Sequence, residues 1–206
     1  MTRTALVRCY DNAYKPIADL SAASCANFCK STNIESREWV ASTLGPQPHR
    51  AKTKILAINQ CFQAGIDRVI YVDVDVLFHP RFTAQQAQPL PPELTTGDFV
   101  LSQDSLGLCC GFFTIANTPL TRQLLRVWRD LGCLDTPGKR IIGDQDTLKL
   151  LVKHFPWVHD LVSLLPTTFV SCPEQVTRGQ LAHHFWSNGG PGYWQKMTNP
   201  TGWPLV

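Results

Sequence analysis

Asp67-Arg68-Val69-Ile70-Tyr71-Val72-Asp73-Val74-Asp75-Val76-Leu77-Phe78 is the stretch whose reading decides the fold. An apolar run climbs from Val69 and meets two carboxylates with one valine between them. That pattern predicts a buried strand ending in a charged pair. Residues two apart on a strand share a face, so Asp73 and Asp75 are expected on one side of the sheet. Two anions this close repel each other and resist burial, and a divalent cation with oxygen ligands removes that cost. A short Asp-x-Asp also arises by chance as a solvated strand end. The aliphatic residues before it, and Leu77, Phe78 and Pro80 after it, favour an embedded pair that binds a metal-diphosphate.

The 206 residues are 44% hydrophobic and 17% charged, which suits one globular domain with a sizeable core. A net charge of +3 is too small to argue for nucleic acid or an anionic membrane as partner. No apolar run approaches the length of a transmembrane segment, and the polar start Met1-Thr2-Arg3-Thr4 does not read as a signal peptide. A cytoplasmic location is the expectation. The eight cysteines form no Cys-x-x-Cys pair, which argues for thiols over a zinc site or a disulfide framework.

Outward from the central stretch, residues 5–9 read as a first strand and residues 15–29 as a helix with Pro16 in its first turn. Pro46 and Pro48 punctuate a loop. Ala51, Ile55, Ile58 and Phe62 recur at helical spacing before Gly65. Residues 81–92 look irregular, and residues 98–102 and 111–116 read as strands. Thr118-Pro119 opens a helix with Leu120, Leu124, Val127, Trp128 and Leu131 on one face, and Gly132 closes it. Another helix starts at Asp144, with Leu148, Leu151, Val152 and Phe155 inward. Residues 164–170 and 181–185 read as late strands. Strands alternating with helices predict an α/β fold with a mostly parallel sheet, whose ligands sit beyond the carboxyl ends of the strands. Asp11 and Asp73 would both lie at that edge.

Five segments, in order, carry a family resemblance. They are Val7-Arg8-Cys9-Tyr10-Asp11-Asn12-Ala13-Tyr14, Arg50-Ala51-Lys52-Thr53-Lys54-Ile55, the Asp-Val-Asp stretch with Gly107-Leu108-Cys109-Cys110-Gly111-Phe112-Phe113 after it, Gly143-Asp144-Gln145-Asp146-Thr147-Leu148, and Ala182-His183-His184-Phe185-Trp186. The set resembles GT-A (Rossmann-like) nucleotide-sugar glycosyltransferases. The retaining families are most similar: the glycogenin and lipopolysaccharide galactosyltransferase group, and the yeast-type α-galactosyl/mannosyltransferases.

The resemblance implies a single glycosyltransferase domain over residues 1–206, with a nucleotide-binding half at 1–103 and an acceptor-side half at 104–206. It implies a nucleotide-sugar donor, UDP-hexose first, a carbohydrate or glycolipid acceptor, Mn²⁺ or Mg²⁺ as cofactor, and retention. By the same resemblance Asp73, Asp75 and His184 are the metal ligands, with His183 on the opposite strand face. Asp11 or Asn12 would bond the base and Tyr14 would stack on it. Lys54, or next Lys52, would stand near the diphosphate or sugar. Asp73 would also contact the donor, and Gly111 would allow a sugar close to the backbone. Asp144 would bind sugar hydroxyls, with Gln145 near the anomeric carbon. Cys109 stands where the families usually have asparagine.

The residues themselves keep other readings open. Asp11 also suits an Asx turn, Asp144 a helix cap, the lysines a solvated helix face, and a lone strand histidine a structural role. Trp186, Tyr193, Trp194 and Trp203 suit an acceptor platform or a core edge. Two other functions fit a paired-aspartate chain. A metal-dependent nucleotidyltransferase would lack its usual Gly-rich loop here. A catalytically impaired nucleotide-sugar or glycan-binding protein is suggested by Cys109.

Overall fold

The computed structural model describes residues 2–41, 50–104, 107–131, 144–171 and 181–185, with only the backbone for 50–52 and 104. Its centre is a six-stranded sheet. The strands are β1 (Thr4–Tyr10), β2 (Glu35–Val40), β3 (Arg68–Val72), β5 (Phe99–Asp104), β6 (Gly107–Ala116) and β7 (Val162–Leu164), in the order β2-β1-β3-β6-β5-β7. β2, β1 and β3 are mutually parallel, β5 and β7 are parallel, and β6 alone runs against its neighbours β3 and β5. A small sheet, β4-β9-β8, is built from β4 (Val76–Phe78), β8 (Val170–Ser171) and β9 (Ala182–His184).

Both faces of the large sheet are buried, so its central strands are apolar throughout rather than alternating. Ala5 and Val7 of β1, with Val69 and Tyr71 of β3, face one cluster. That cluster includes Ile55, Ile58 and Phe62 of α2 (Arg50–Gln63), Leu124 and Trp128 of α3 (Pro119–Leu131), Leu148 and Leu151 of α4 (Asp144–His154) and Val158 of α5 (Pro156–Leu161). Leu6, Ile70 and Val72 face the other cluster, with Cys25 and Phe28 of α1 (Lys15–Thr32) and with Val76 and Phe78 of the small sheet. Phe28 stacks on Phe78 with ring centroids 3.9 Å apart.

Local chemistry fixes the element ends. Pro16 lies in the first turn of α1, and Asn33 takes the left-handed conformation at φ 53° that closes it. Thr118 Oγ1 accepts from Thr121 N at 3.3 Å and caps α3 just before Pro119. Glycine at 65 permits φ 78° after α2, while Ile66 N reaches back to Cys61 O at 3.1 Å.

Several expectations change. The strand does not carry the charged pair at its end: β3 stops at Val72 and β4 starts at Val76, with a turn between. Residues 164–170 are mainly the connection between β7 and β8. β2 escaped notice because Glu-Ser-Arg-Glu-Trp-Val is polar, as an edge strand can be. Phe155, Leu120 and Leu131 are exposed rather than inward. α5 is an additional short helix. Pro46, Pro48, Gly132, Gly143, Trp186, Tyr193, Trp194 and Trp203 fall outside the described residues. Among the described residues the six cysteines present are free thiols, and no helix is long and apolar enough to cross a membrane.

Candidate metal and donor site

The carboxyl edge of the sheet carries the Asp-Val-Asp turn. Val76 N donates to Asp73 O at 3.2 Å, closing a turn over Asp73, Val74 and Asp75. The two carboxylates therefore converge through a turn, not through strand alternation. The valine between them is the anchor. Val74 is buried against Tyr10 and Ala18, with Tyr14 packed alongside. Its carbonyl accepts from Ser21 Oγ at 2.5 Å, and Ser21 Oγ in turn receives Arg8 Nη2 at 2.9 Å. Arg8 also donates to Ala18 O at 2.6 Å and pairs with Glu38 at 3.2 Å. A charge in the middle of an otherwise apolar strand signals a buried partner, and this is the clue that could have revealed the support under the turn.

β9 delivers the histidine. It pairs antiparallel with β4 so that His184 lies opposite Val76, and Phe185 N donates to Asp75 O at 2.8 Å. One ligand atom each from Asp73, Asp75 and His184 lie within 4.8 Å of one another. His184 Nε2 is 3.3 Å from Asp75 Oδ1, yet that buried oxygen has no hydrogen-bond partner. A carboxylate oxygen and a ring nitrogen that approach without bonding are a fitting pair for a cation between them. Two carboxylate oxygens and one imidazole suit a divalent cation. His183 points away, its Nδ1 2.6 Å from Ser171 Oγ and its ring against Phe185. Burial, then its neighbour His184, push its pKa down to about 4.

Beside this trio sits a lysine at the base of the site. Lys54 Nζ donates to Asp144 Oδ2 at 2.6 Å and to Cys110 O at 2.8 Å, lies 3.5 Å from Asp73 Oδ1, and stands 4.6 Å over the Tyr71 ring. Burial alone would push the ammonium down, but Asp144 and then Asp73 outweigh it and hold its pKa well above the ordinary value. Burial likewise opposes ionisation of Asp144, and Lys54 reverses this, so Asp144 stays an anion. For Asp73 burial wins over the more distant Lys54 and its pKa is raised. For Asp75 the nearby His184 outweighs burial and its pKa is lowered. Tyr71 Oη donates to Asp73 Oδ1 at 2.9 Å and contacts Cys9 Sγ at 3.3 Å. Tyr71 was not singled out from the sequence, although it lies two residues before Asp73 on an apolar strand.

β6 supplies the wall. Leu101 of β5 pairs with Phe113 but Ser102 pairs with Cys109, so Cys110, Gly111 and Phe112 have no counterpart on β5. Bulges of this kind re-aim groups beside functional sites. Here the displaced backbone is used. Gly111 O accepts from Asp73 N at 2.8 Å, Cys110 O accepts from Lys54, and Cys110 N donates to Gln145 Oε1 at 3.3 Å. The space a side chain at Gly111 would need is filled by the His184 imidazole, so its neighbour is a protein ring rather than open space.

The remaining candidates are more dispersed. Asp144 begins α4, where its Oδ1 accepts from Gln145 N at 2.9 Å and its carbonyl from Trp128 Nε1 at 3.0 Å. Asp11 follows β1 at the same sheet edge, and its Oδ1 caps the turn Asn12–Tyr14 through Ala13 N at 3.0 Å and Tyr14 N at 3.3 Å. Asn12 is exposed and Tyr14 half-buried. Lys52 lies in the first turn of α2, and its side chain is outside the described atoms.

No protein-family model matches this sequence. No curated protein matches it either. Solved structures do. A glycosyltransferase involved in glycosylation of the major capsid of PBCV-1 superposes with a TM-score of 0.68 at 10% identity, covering 95% of this chain and 99% of that one. The glycosyltransferase GlyE of Streptococcus pneumoniae TIGR4 gives 0.59 at 14% identity, over 97% of this chain and 61% of that one. The galactosyltransferase LgtC, solved with donor and acceptor sugar analogues, gives 0.56 at 13% identity over 98% and 97%. At such identities the likeness is one of architecture, and that architecture is the GT-A-type glycosyltransferase fold.

Proposed function

We propose that this protein is a metal-dependent glycosyltransferase. It moves a hexose from a nucleoside-diphosphate sugar, UDP-hexose first, to a hydroxyl of a carbohydrate or glycolipid acceptor, with retention of anomeric configuration. The observation that carries the reading is the convergence of Asp73, Asp75 and His184 at the sheet edge, with an unbonded carboxylate oxygen facing a ring nitrogen. Mn²⁺ or Mg²⁺ held by these three would neutralise the diphosphate as it departs.

The chain's own groups do the rest. Asp11, Asn12 and Tyr14, at the end of β1, receive the nucleoside. Lys54 keeps Asp144 ionised and fixed, so that its carboxylate accepts from sugar hydroxyls. Lys54, or next Lys52, shares the charge of the diphosphate. Asp73 serves the donor as well as the cation, and Gln145 lies toward the anomeric carbon. The acceptor oxygen bonds to that carbon as its bond to the phosphate oxygen breaks. The acceptor proton passes to the departing phosphate, so no further carboxylate base is required. Gly111 and the rest of the 104–206 half face the sugar and acceptor, and the 1–103 half faces the nucleotide.

The test is a panel of UDP- and GDP-sugars incubated with the protein and Mn²⁺, with a chelator as control. Free nucleoside diphosphate should appear with at least one donor and vanish with chelation. A panel that yields neither release nor a rise in melting temperature overturns the reading.

A further inference from the structure

His184 is seated by two residues of β6. Its Nδ1 lies 3.4 Å from Cys109 Sγ, and that sulfur also accepts Gly111 N–H at 3.4 Å. The flat of the ring occupies the space that any side chain at position 111 would need. Cys109 is 1% exposed and His184 5%, so water does not compete for these contacts. A ring that ligates a cation carries one proton, and two arrangements then satisfy Nδ1 and Sγ. If the thiol donated to Nδ1, a neutral ring would carry its proton on Nε2, the nitrogen 3.3 Å from Asp75 Oδ1. A proton there would block the nitrogen that faces the metal side. The proton on Nδ1, donated to sulfur, leaves an Nε2 lone pair on the carboxylate side, which is what a cation needs.

We propose that Cys109 and Gly111 are positioning residues for His184: the sulfur holds Nδ1–H, the bare glycine takes the ring face, and Nε2 is left to the metal side. The inference rests on the metal-site reading above and extends it to a residue pair that supports the ligand histidine from behind. It also gives the cysteine standing in place of asparagine a task of its own. Groups that hold a ligand histidine by its second nitrogen typically contribute 10- to 100-fold to metal affinity.

Wild type, Cys109→Ala, Cys109→Ser and Gly111→Ala are compared at one fixed pH. Mn²⁺ affinity is read by electron paramagnetic resonance of the free ion, and the His184 Nδ1–H proton by NMR of metal-free and Mg²⁺-loaded protein. Cys109→Ala should raise the Mn²⁺ dissociation constant about tenfold or more and lose the slowly exchanging ring proton. Cys109→Ser, which keeps an acceptor on a shorter bond, should fall between alanine and wild type. Gly111→Ala should lose at least as much affinity as Cys109→Ala. A ring proton that survives in Cys109→Ala, or an affinity within about twofold of wild type, overturns the proposal. Should wild type bind no Mn²⁺, the metal reading falls by itself, and the Nδ1–H signal in metal-free protein still decides whether sulfur holds the ring.

Discussion

Two ionic clusters lie side by side under the sheet edge, and they are built in opposite ways. Around Lys54 the charges are closed: one ammonium meets Asp144, the Cys110 carbonyl and, at longer range, Asp73. Around Asp75 and His184 they are open: the atoms approach to 3.3 Å and make no hydrogen bond. A closed cluster offsets its desolvation through hydrogen bonds, whereas in the open one charge attraction alone does so and a carboxylate oxygen is left over for a ligand. Removing a member of the first should therefore damage stability, and removing a member of the second should damage binding.

The largest expected effect is on the open side. Asp75→Ala should weaken Mn²⁺ by more than ~100-fold and abolish donor turnover. A variant that turns over normally would break the comparison outright. On the closed side, Lys54→Met should cost about 2 kcal/mol of stability, since it leaves the half-buried Asp144 and Asp73 without their cation. Adding Asp144→Leu should restore much of that loss, as urea denaturation would report. If Lys54→Met unfolds no more readily than wild type, the cluster is not closed in the sense argued.

Gln145 joins Asp144 of the closed cluster to the wall at Cys110. Gln145→Ala should lower kcat about tenfold and raise KM less, the pattern of an interaction made mainly in the transition state. NMR of the first-formed product should show the donor's configuration, and an inverted product would overturn the retaining assignment. The smallest effect belongs to His183, which faces Ser171. His183→Ala should change Mn²⁺ affinity less than about twofold, against a severe loss in His184→Ala. Equal losses in the two titrations would mean that the strand faces have been misassigned.

The sequence carried the long-range order of this site better than its local geometry. Apolar runs at β1, β3 and β6 were legible because both faces of the sheet are covered, and a helix period marked α2, α3 and α4. The coming together of Asp73, Asp75 and His184 was implied by the order of segments, but the route was not. Strand alternation was the wrong reason for the carboxylate pair, because Val74 turns inward under α1 and the strand is cut at that point. The segment order marks Lys54 only as a charge near the donor. Its burial beside Asp144 depends on a partner 90 positions away in the chain, which no local pattern encodes. The bulge at Cys110 was invisible for a similar reason, since it exists only relative to the register of β5.

That bulge has a consequence for how the site can change over generations. Three of its contacts, to Asp73, Lys54 and Gln145, are made by main-chain atoms of Cys110 and Gly111. Every amino acid except proline carries those atoms. At position 110 selection can therefore preserve the shape of the wall while the letter drifts, provided the replacement fits the same buried space. At position 111 there is no such freedom, because the ring of His184 occupies the place of a side chain. Saturation of both codons, scored for Mn²⁺ binding, should return a tolerant position beside an intolerant one.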